Sequence, residues 1–398
     1  MKINVAVFFG CRSVEHEVSI ISAVQAMRSI DRKKYDVTPV YVAKSGEMYT
    51  GDQLFDIENY RNMPSLLKNC RTVCFVKENG DVLMKSAKSG LFGGQKAVRI
   101  DVAFPIVHGT NCEDGTLQGM LEFLNIPYVG CDIISSAVGM DKAVFKDVLK
   151  NAGLPVLDCV TFRAKEYIGD KKPILAEIKE KIGFPLIVKP VNLGSSVGIK
   201  KVNGEEELDS AIMFAFSFSD RVLVEHAITA LREINCSVVG DCDECEASVC
   251  EEPFGNDEIL SYEDKYMGGG KNSGGSKGMA SLGRKIPADL KPKKEKEIRT
   301  LACDIFKAIG ANGVVRIDFM IDTETDTVYA NEINTIPGSL AFYLWQASGI
   351  SYTALIDRLI DLAFKRSRTR DNITYTIDTN ILSGVSFGGA KGTKGAKL

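Results

Sequence analysis

Gly313-Val314-Val315-Arg316-Ile317-Asp318-Phe319-Met320-Ile321, followed after a polar turn by Val328-Tyr329-Ala330-Asn331-Glu332-Ile333-Asn334, is the stretch on which the fold turns. Alternate residues of a strand share a face, so Val315, Ile317, Phe319 and Ile321 point to a core while Arg316 and Asp318 point away together. Glu332 and Asn334 share a face of the second strand. Paired as a hairpin across Asp322 to Thr327, the strands bring Asp318, Glu332 and Asn334 together as three oxygen ligands. Such a set suits Mg2+, which takes a few carboxylates plus phosphate oxygens and water, and Arg316 beside it suits a developing negative charge. The alternative is a surface hairpin with ordinary polar residues outward; the added Asn334, Pro337 and Gly338 weigh toward a site.

Upstream lies Lys189-Pro190-Val191-Asn192-Leu193-Gly194-Ser195-Ser196-Val197-Gly198. Small residues let backbone N–H groups close on a phosphate, with Lys189 supplying charge from the strand end. Two other readings compete. Gly194 to Gly198 fits a G-x-S-x-G nucleophile elbow around Ser196, but an elbow is followed by a helix and needs a downstream histidine, whereas a strand follows here and only His226 lies beyond. A plain glycine turn is the other. Neither G-x-x-x-x-G-K-[ST] nor G-x-G-x-x-G occurs, so nucleotide binding has to use a scaffold other than a P-loop or a Rossmann fingerprint.

The rest of the chain reads as α/β. Lys2 to Gly10 is a first strand, Ser19 to Ile30 a helix, Val37 to Val42 a second strand and Asp101 to Val107 another, which predicts a parallel α/β domain over residues 1–131. Residues 43–100 read as irregular and polar, and Ser135 or Ser136 as the cap of one helix running to Gly153. A central unit over 132–221 and a C-terminal unit over 222–370 follow, α+β in character. Within the latter, 267–286 reads as a mobile lid, since Gly268 to Gly283 interleaves glycine with lysine and serine. The Gly/Lys-rich tail, 371–398, is expected to be largely disordered.

With 398 residues, more than one core is expected at a prior of about 150 residues per domain. A net charge of −3 gives no global attraction to nucleic acid or anionic membrane, so neither is expected as a partner. Eleven cysteines without disulfide-like spacing fit a cytoplasmic home. Cys242-x-x-Cys245 with Cys236 and Cys250 is one C-x-x-C pair where structural zinc usually uses two, and His16 beside Glu15 reads as structural. The Phe214-Phe216-Phe218 alternation reads as core, and Lys391 to Lys397 as a solvated tail.

Taken together the motifs resemble the ATP-grasp ligases, and within them the D-alanine–D-alanine ligase family. The resemblance spans Gly10 to about Ala363. It rests on Gly10-x-x-Ser13-x-Glu15-x-Glu17-Val18-Ser19, His108-Gly109 with Glu113-Asp114-Gly115-Thr116-Leu117-Gln118-Gly119, Met140-Asp141-Lys142, Gly194 to Gly198, Tyr262-Glu263-x-Lys265-Tyr266, Arg316-Ile317-Asp318 and Asn331 to Thr335. Each is weak alone; their order and spacing are specific. The resemblance implies an N-terminal α/β domain before a two-part ATP-grasp fold, and a homodimer that joins two D-alanines for peptidoglycan precursors. The co-substrate would be ATP, with two Mg2+ ions or Mn2+ in their place.

By the same resemblance Lys142 and Lys189 contact phosphates, Ser195 and Ser196 line the nucleotide loop, and Glu225 and Glu233 serve the adenine and ribose sides. Lys265 would help hold the nucleotide from the loop. Asp318, Glu332 and Asn334 would bind the metals. Glu15 would hold the donor's ammonium near His108, linked to Ser195 and Tyr266, while Arg316 would stabilise the tetrahedral intermediate beside Gly338. The chemistry requires a γ-phosphoryl transfer that makes the carboxylate electrophilic, then attack by an amine, with water kept out.

One departure stands out. Where the family offers a serine for the acceptor's carboxylate, this chain has Tyr343. A tyrosine hydroxyl can bind a carboxylate, or the acceptor can differ. The lid also reads as longer than the common form. Tyr266 is retained, which favours amide over ester formation. A regulatory nucleotide binder is the remaining rival, against which the retained Lys142, Lys189, Arg316, Asp318, Glu332 and Asn334 weigh.

Overall fold

The computed structural model describes residues 2–87, 97–194, 197–253 and 283–380. Three sheets follow one another along the chain, and each has its own apolar core.

The first sheet has the order β6-β5-β4-β3-β2-β1-β7. Its strands are β1 (Ile3–Gly10), β2 (Tyr35–Val42), β3 (Met48–Thr50), β4 (Arg71–Glu78), β5 (Asp81–Ser86), β6 (Val98–Ile100) and β7 (Val102–Pro105). β1 runs parallel to β2 and β7 and is buried on both faces, which is why Val5 to Phe9 is an unbroken apolar run. β3 to β6 pair antiparallel, so residues 43–100, expected to be irregular, contain four strands. They read as polar because only one face is covered: Val73, Val82, Met84 and Ile100 are buried while their neighbours face water. The glycines at 90, 93 and 94 lie outside the described residues. The helix Tyr352–Asp371 returns from the far end of the chain, and its Leu355, Ile356, Leu359 and Ile360 join this core.

The second sheet, order β10-β9-β11-β8, is antiparallel and is built from β8 (Cys159–Arg163), β9 (Leu186–Pro190), β10 (Lys200–Val202) and β11 (Arg221–His226). β11 carries this sheet past the boundary expected at residue 221. In the third sheet, order β14-β13-β12-β15-β16, the strands are β12 (Leu231–Gly240), β13 (Cys245–Pro253), β14 (Arg284–Lys285), β15 (Gly313–Asp322) and β16 (Thr327–Asn334). The helix Pro292–Ala308 covers its apolar face with Ile298, Ala302, Ile305 and Phe306.

Over residues 133–151 the chain forms two helices where one was expected. Asp132 caps the first, Ile133–Met140, by accepting from Ser135 N at 2.8 Å. Asp141 breaks the run and caps the second, Lys142–Asn151, by accepting from Ala143 N and Val144 N at 3.0 Å each. Lys142 is thereby held at a helix N-terminus. Phe214, on the helix Glu205–Phe216, and Phe218, just beyond its end, are partly exposed although both were expected in a core. No described helix is long and apolar enough to cross a membrane. Residues 374–380 have no regular structure, and the rest of the tail lies outside the described residues.

Candidate active site

A cavity of about 450 Å³ opens where the three sheets meet. Its wall on the third sheet is the β15/β16 hairpin. Asp318 stands opposite Glu332 and Arg316 opposite Asn334, and the register then shifts between Asp318 and Phe319, leaving Asn331 as the extra residue of a bulge. The buried side of β15 is Val315, Ile317, Phe319 and Ile321, as alternation requires. On the cavity side, Arg316 Nε and Nη2 donate to the two oxygens of Asp318 at 2.7 Å each, and Asn334 Nδ2 donates to Asp318 Oδ2 at 3.2 Å. Burial opposes the Arg316 charge, but Asp318 outweighs it and holds the guanidinium firmly protonated.

Two cations reach the same wall from other elements. Lys142 Nζ lies 3.1 Å from Glu332 Oε2 and donates to Leu193 O at 2.7 Å. Lys189, buried on β9, pairs with Glu225 of the neighbouring β11 and donates to Asn331 Oδ1 at 3.3 Å, so the bulge residue touches the second sheet. Burial pulls the Lys189 ammonium below its ordinary range. On the other side of Glu225 is Lys146, its Nζ 2.6 Å from Oε2 and 3.1 Å from Leu157 O. Burial alone would raise the Glu225 carboxyl, yet Lys146 and Lys189 together bring it down to about 2. Glu225, expected on the adenine side, lines the cavity with its carboxylate between two lysines. Lys146 was not anticipated. It sits one helical turn beyond Lys142, on the buried side of that helix.

The donor set expected for a metal is two carboxylates and one amide oxygen, all hard donors facing the cavity, and each carboxylate is matched by a cation, Arg316 on Asp318 and Lys142 on Glu332. That chemistry fits magnesium. Among the described residues no group of three or more His, Cys, Asp or Glu is placed to hold a metal. The cysteines considered for zinc do not converge: Cys236 and Cys250 are buried opposite each other on β12 and β13, while Cys242 is exposed.

Opposite the hairpin, the end of the first sheet supplies Glu15 and His108. The Glu15 carboxylate packs against Gly109 and Gly194, so closely that a Cβ on Gly109 would fall 2.9 Å from Glu15 Oε2 and 2.4 Å from Ser13 Oγ. His108 is buried, with Nδ1 2.9 Å from Ile336 O and Nε2 3.0 Å from Ser22 Oγ. A carbonyl only accepts, so Nδ1 carries the proton. Ser22 accepts from Ser339 N at 3.0 Å and donates to Nε2. Burial favours this neutral imidazole. His108 therefore holds the strap Ile336 to Ala341, in which Ser339, Leu340 and Ala341 are all left-handed at φ 50–57°. Three such residues in a row are costly, and a strap tied by Ser22 and by Gln25, which accepts from Ser339 Oγ at 2.6 Å, can hold them.

Glu113 was part of a quoted motif without a role. It is buried behind this strap, accepting from Gly109 N at 2.9 Å and Ile336 N at 2.8 Å. Burial raises its carboxyl to about 7 despite those bonds. Also unanticipated is a cluster at the far wall. Glu251 accepts from Asn235 Nδ2 and Tyr343 OH at 3.0 Å each and from Arg284 Nη1 at 3.1 Å. The Tyr343 hydroxyl, expected to meet a carboxylate, is thus bound to Glu251, and burial followed by Glu251 pushes its pKa up to about 12.

Glu15, His108, Lys142, Lys189, Glu225, Glu233, Arg316, Asp318, Glu332, Asn334, Gly338 and Tyr343 all line the one cavity. Ser195, Ser196, Lys265, Tyr266 and nearly all of the expected lid lie outside the described residues. The nucleophile-elbow reading of Gly194 to Gly198 loses its support, because the next element is the strand β10. His16, with Nδ1 against Cys11 O and Nε2 3.0 Å from Tyr41 OH, is a bound structural histidine.

Comparison with known proteins points to one family. A family model described as "D-ala D-ala ligase N-terminus" matches residues 4–131, and one described as "D-ala D-ala ligase C-terminus" matches residues 148–361. The chain is 40% identical over 381 residues to a D-alanine–D-alanine ligase of Thermosipho melanesiensis, covering 96% of this chain and 98% of that one. It is 41% identical over 372 residues to one from Thermoanaerobacter, covering 91% and 96%. Among solved structures it is similar to the D-alanine–D-alanine ligase of Coxiella burnetii, with TM-score 0.76 and 31% identity over 93% of this chain and 96% of that one. It is also similar to the VanG D-Ala:D-Ser ligase of Enterococcus faecalis, with TM-score 0.75 and 31% identity over 91% and 100%.

Proposed function

The chain belongs to the D-alanine–D-alanine ligase family of ATP-grasp enzymes and joins two D-alanines with ATP to make the dipeptide of peptidoglycan precursors, and on that premise we propose how its residues divide the work. The observation that carries the assignment is the meeting in one cavity of Glu15 from the first sheet, the two lysines Lys142 and Lys189, and the Arg316/Asp318/Glu332/Asn334 hairpin.

Lys142 and Lys189 receive the nucleotide's phosphates, being cations at the cavity wall from two different elements. Glu225 acts through Lys189, holding its ammonium in place rather than meeting the base, while Glu233 on β12 is left for the ribose. Asp318, Glu332 and Asn334 would hold two Mg2+ ions, or Mn2+ in their place, whose positive charge would offset the charge on the transferring group. Glu15 takes the donor's ammonium and fixes its carboxylate for phosphorylation. Ser195 and Tyr266 join that set on the strength of the sequence motifs. Arg316 then lies where the tetrahedral oxyanion forms as the second amine attacks the acyl phosphate. His108 and Glu113 hold the strap that presents Gly338.

We propose further that the enzyme is a cytoplasmic homodimer. Eleven free thiols support the reducing compartment, and the almost fully exposed Phe123 beside Met120 and Leu124 supports a covered apolar surface. Sedimentation at micromolar concentration tests the dimer.

Phosphate release from ATP and Mg2+ with D- and L-amino acids, offered singly and in pairs and with products weighed, tests the chemistry. Release that requires D-alanine and yields D-alanyl-D-alanine is expected. A preferred mixed product with D-serine or another amine would move the acceptor assignment; binding of ATP without turnover on any pair would leave only the regulatory reading.

A further inference from the structure

We propose that Phe218, backed by Phe214, is a positioning residue for ATP: it clamps Gly198, where the chain enters β10, against Pro190, and so keeps Lys142 and Lys189 in place for the phosphates. This rests on the assignment of those two lysines to the nucleotide.

Phe214, Phe216 and Phe218 alternate in the sequence but part in space. On a helix, residues two apart point to nearly opposite sides and residues four apart share one. Phe216 packs with Phe162 and Tyr167 at the core of the second sheet. Phe214 and Phe218 form an edge-to-face pair, ring centroids 5.2 Å apart, and are 40% and 41% exposed. Phe218 N donates to Ala215 O at 3.1 Å, which fixes Phe218 to the helix end.

This pair meets the entry to β10. A Cβ on Gly198 would fall 2.9 Å from Phe218 Cδ2 and 2.7 Å from Pro190 Cγ, so both rings close on the bare side of the glycine. Two residues on, Lys200 Nζ lies 4.9 Å from the Phe214 ring centroid. Gly198 has φ +80°, and glycine has more backbone freedom to lose than any other residue, so the packed rings rather than its own backbone hold it. Two rings this exposed add little to the core; the contact they make is with this turn.

The turn adjoins both phosphate lysines. Pro190 directly follows Lys189 at the end of β9. Val197 N, next to Gly198, donates to Gly194 O at 3.2 Å, and Leu193 O beside it accepts from Lys142 Nζ at 2.7 Å. Ile199, on the other side of Gly198, lines the cavity itself. Without Phe218, Gly198 can turn, only a fraction of the molecules keep the arrangement ATP needs, and apparent affinity falls by that fraction.

Full-length wild type, F218A, F218L, F218Y and F214A are compared by phosphate release, which gives kcat and the KM of ATP and of D-alanine. The same enzymes are assayed for D-alanyl hydroxamate from D-alanine, ATP, Mg2+ and hydroxylamine, and by thermal unfolding. F218A should raise the ATP KM on the order of 10-fold in both assays, with kcat and the D-alanine KM within about twofold and the melting temperature little changed. F218L and F214A should fall between, and F218Y, which keeps the ring, should stay near wild type. If F218A unfolds early, F218L carries the comparison. The proposal is overturned if the ATP KM of F218A and F218L stays at the wild-type value, if kcat and the D-alanine KM change as much as the ATP KM, or if F218Y is as impaired as F218A. K189M separates this from the assignment beneath it: an unchanged ATP KM in K189M would sink the phosphate role of Lys189, whereas an ATP KM raised in K189M and not in F218A sinks the clamp alone.

Discussion

Lys146 Nζ lies 2.6 Å from the outer oxygen of Glu225, whose other oxygen meets Lys189, so one buried carboxylate is shared by two buried ammonium groups. The three carry a net positive charge where solvent does not reach, and that charge is directed at the cavity through Lys189. Replacing Lys146 by Met leaves Glu225 with one partner and frees Lys189 to turn. Apparent KM for ATP should rise about 10-fold, with D-alanine parameters less affected. Breaking such a buried set typically costs about 3–5 kcal/mol. Thermal unfolding alongside ATP-dependent kinetics checks both effects; an unchanged ATP KM would detach Lys146 from nucleotide binding.

Asp318 is held by Arg316 and Asn334 without supporting the core. Asp318→Asn should therefore keep the melting temperature within a few degrees while lowering kcat by on the order of 10³, because a lost carboxylate ligand and a released Arg316 both act on the transition state. Chelation of the wild type should stop turnover, and either Mg2+ or Mn2+ should restore it. An active Asp318→Asn enzyme would refute the metal assignment.

Gly109 tests the donor pocket sterically. A methyl there meets Ser13 and Glu15, at a residue with φ of +80° that side chains rarely adopt. Gly109→Ala should push the Glu15 carboxylate aside and raise the KM of the donor D-alanine about 10-fold or more, read from hydroxamate formation. Roughly 1–2 kcal/mol of stability should go with it, from the left-handed backbone alone.

Glu113 imposes a pH dependence whose sign is fixed by its raised pKa. The folded carboxyl titrates at about 7 against 4.5 in the ordinary case, so the folded state binds the extra proton between those values. Its contribution is fully present below pH 4.5 and is lost as pH rises through 7. Glu113→Gln removes that titration. The difference in unfolding free energy between variant and wild type should shift in the variant's favour from pH 4.5 to 7 and level off above. Denaturant melts across that range measure it, and a pH-independent difference would contradict the raised carboxyl.

Residues 43–100 show where sequence reading falls short. Their strands are short and covered on one side only, so their pattern resembles a polar loop until the neighbouring strands are in place. The helix break at Asp141 was hidden because aspartate there reads equally as a surface residue and as a cap. By contrast the unbroken apolar run of β1 and the alternation of β15 were plain, since a strand buried on one or both faces records that burial directly in its own residues.

The sequence by itself determined that Arg316, Asp318, Glu332 and Asn334 share one face of a hairpin, because side-chain direction in a strand has a period of two and needs no partner to define it. It also placed Tyr343 where a serine is expected. Only the tertiary structure decided which charges meet: Lys142 at Glu332, Lys146 and Lys189 on Glu225, Arg284 and Tyr343 on Glu251. Those pairs join separate elements, often far apart in the chain, and their geometry depends on how sheets and helices pack across a cavity, which no local periodicity encodes.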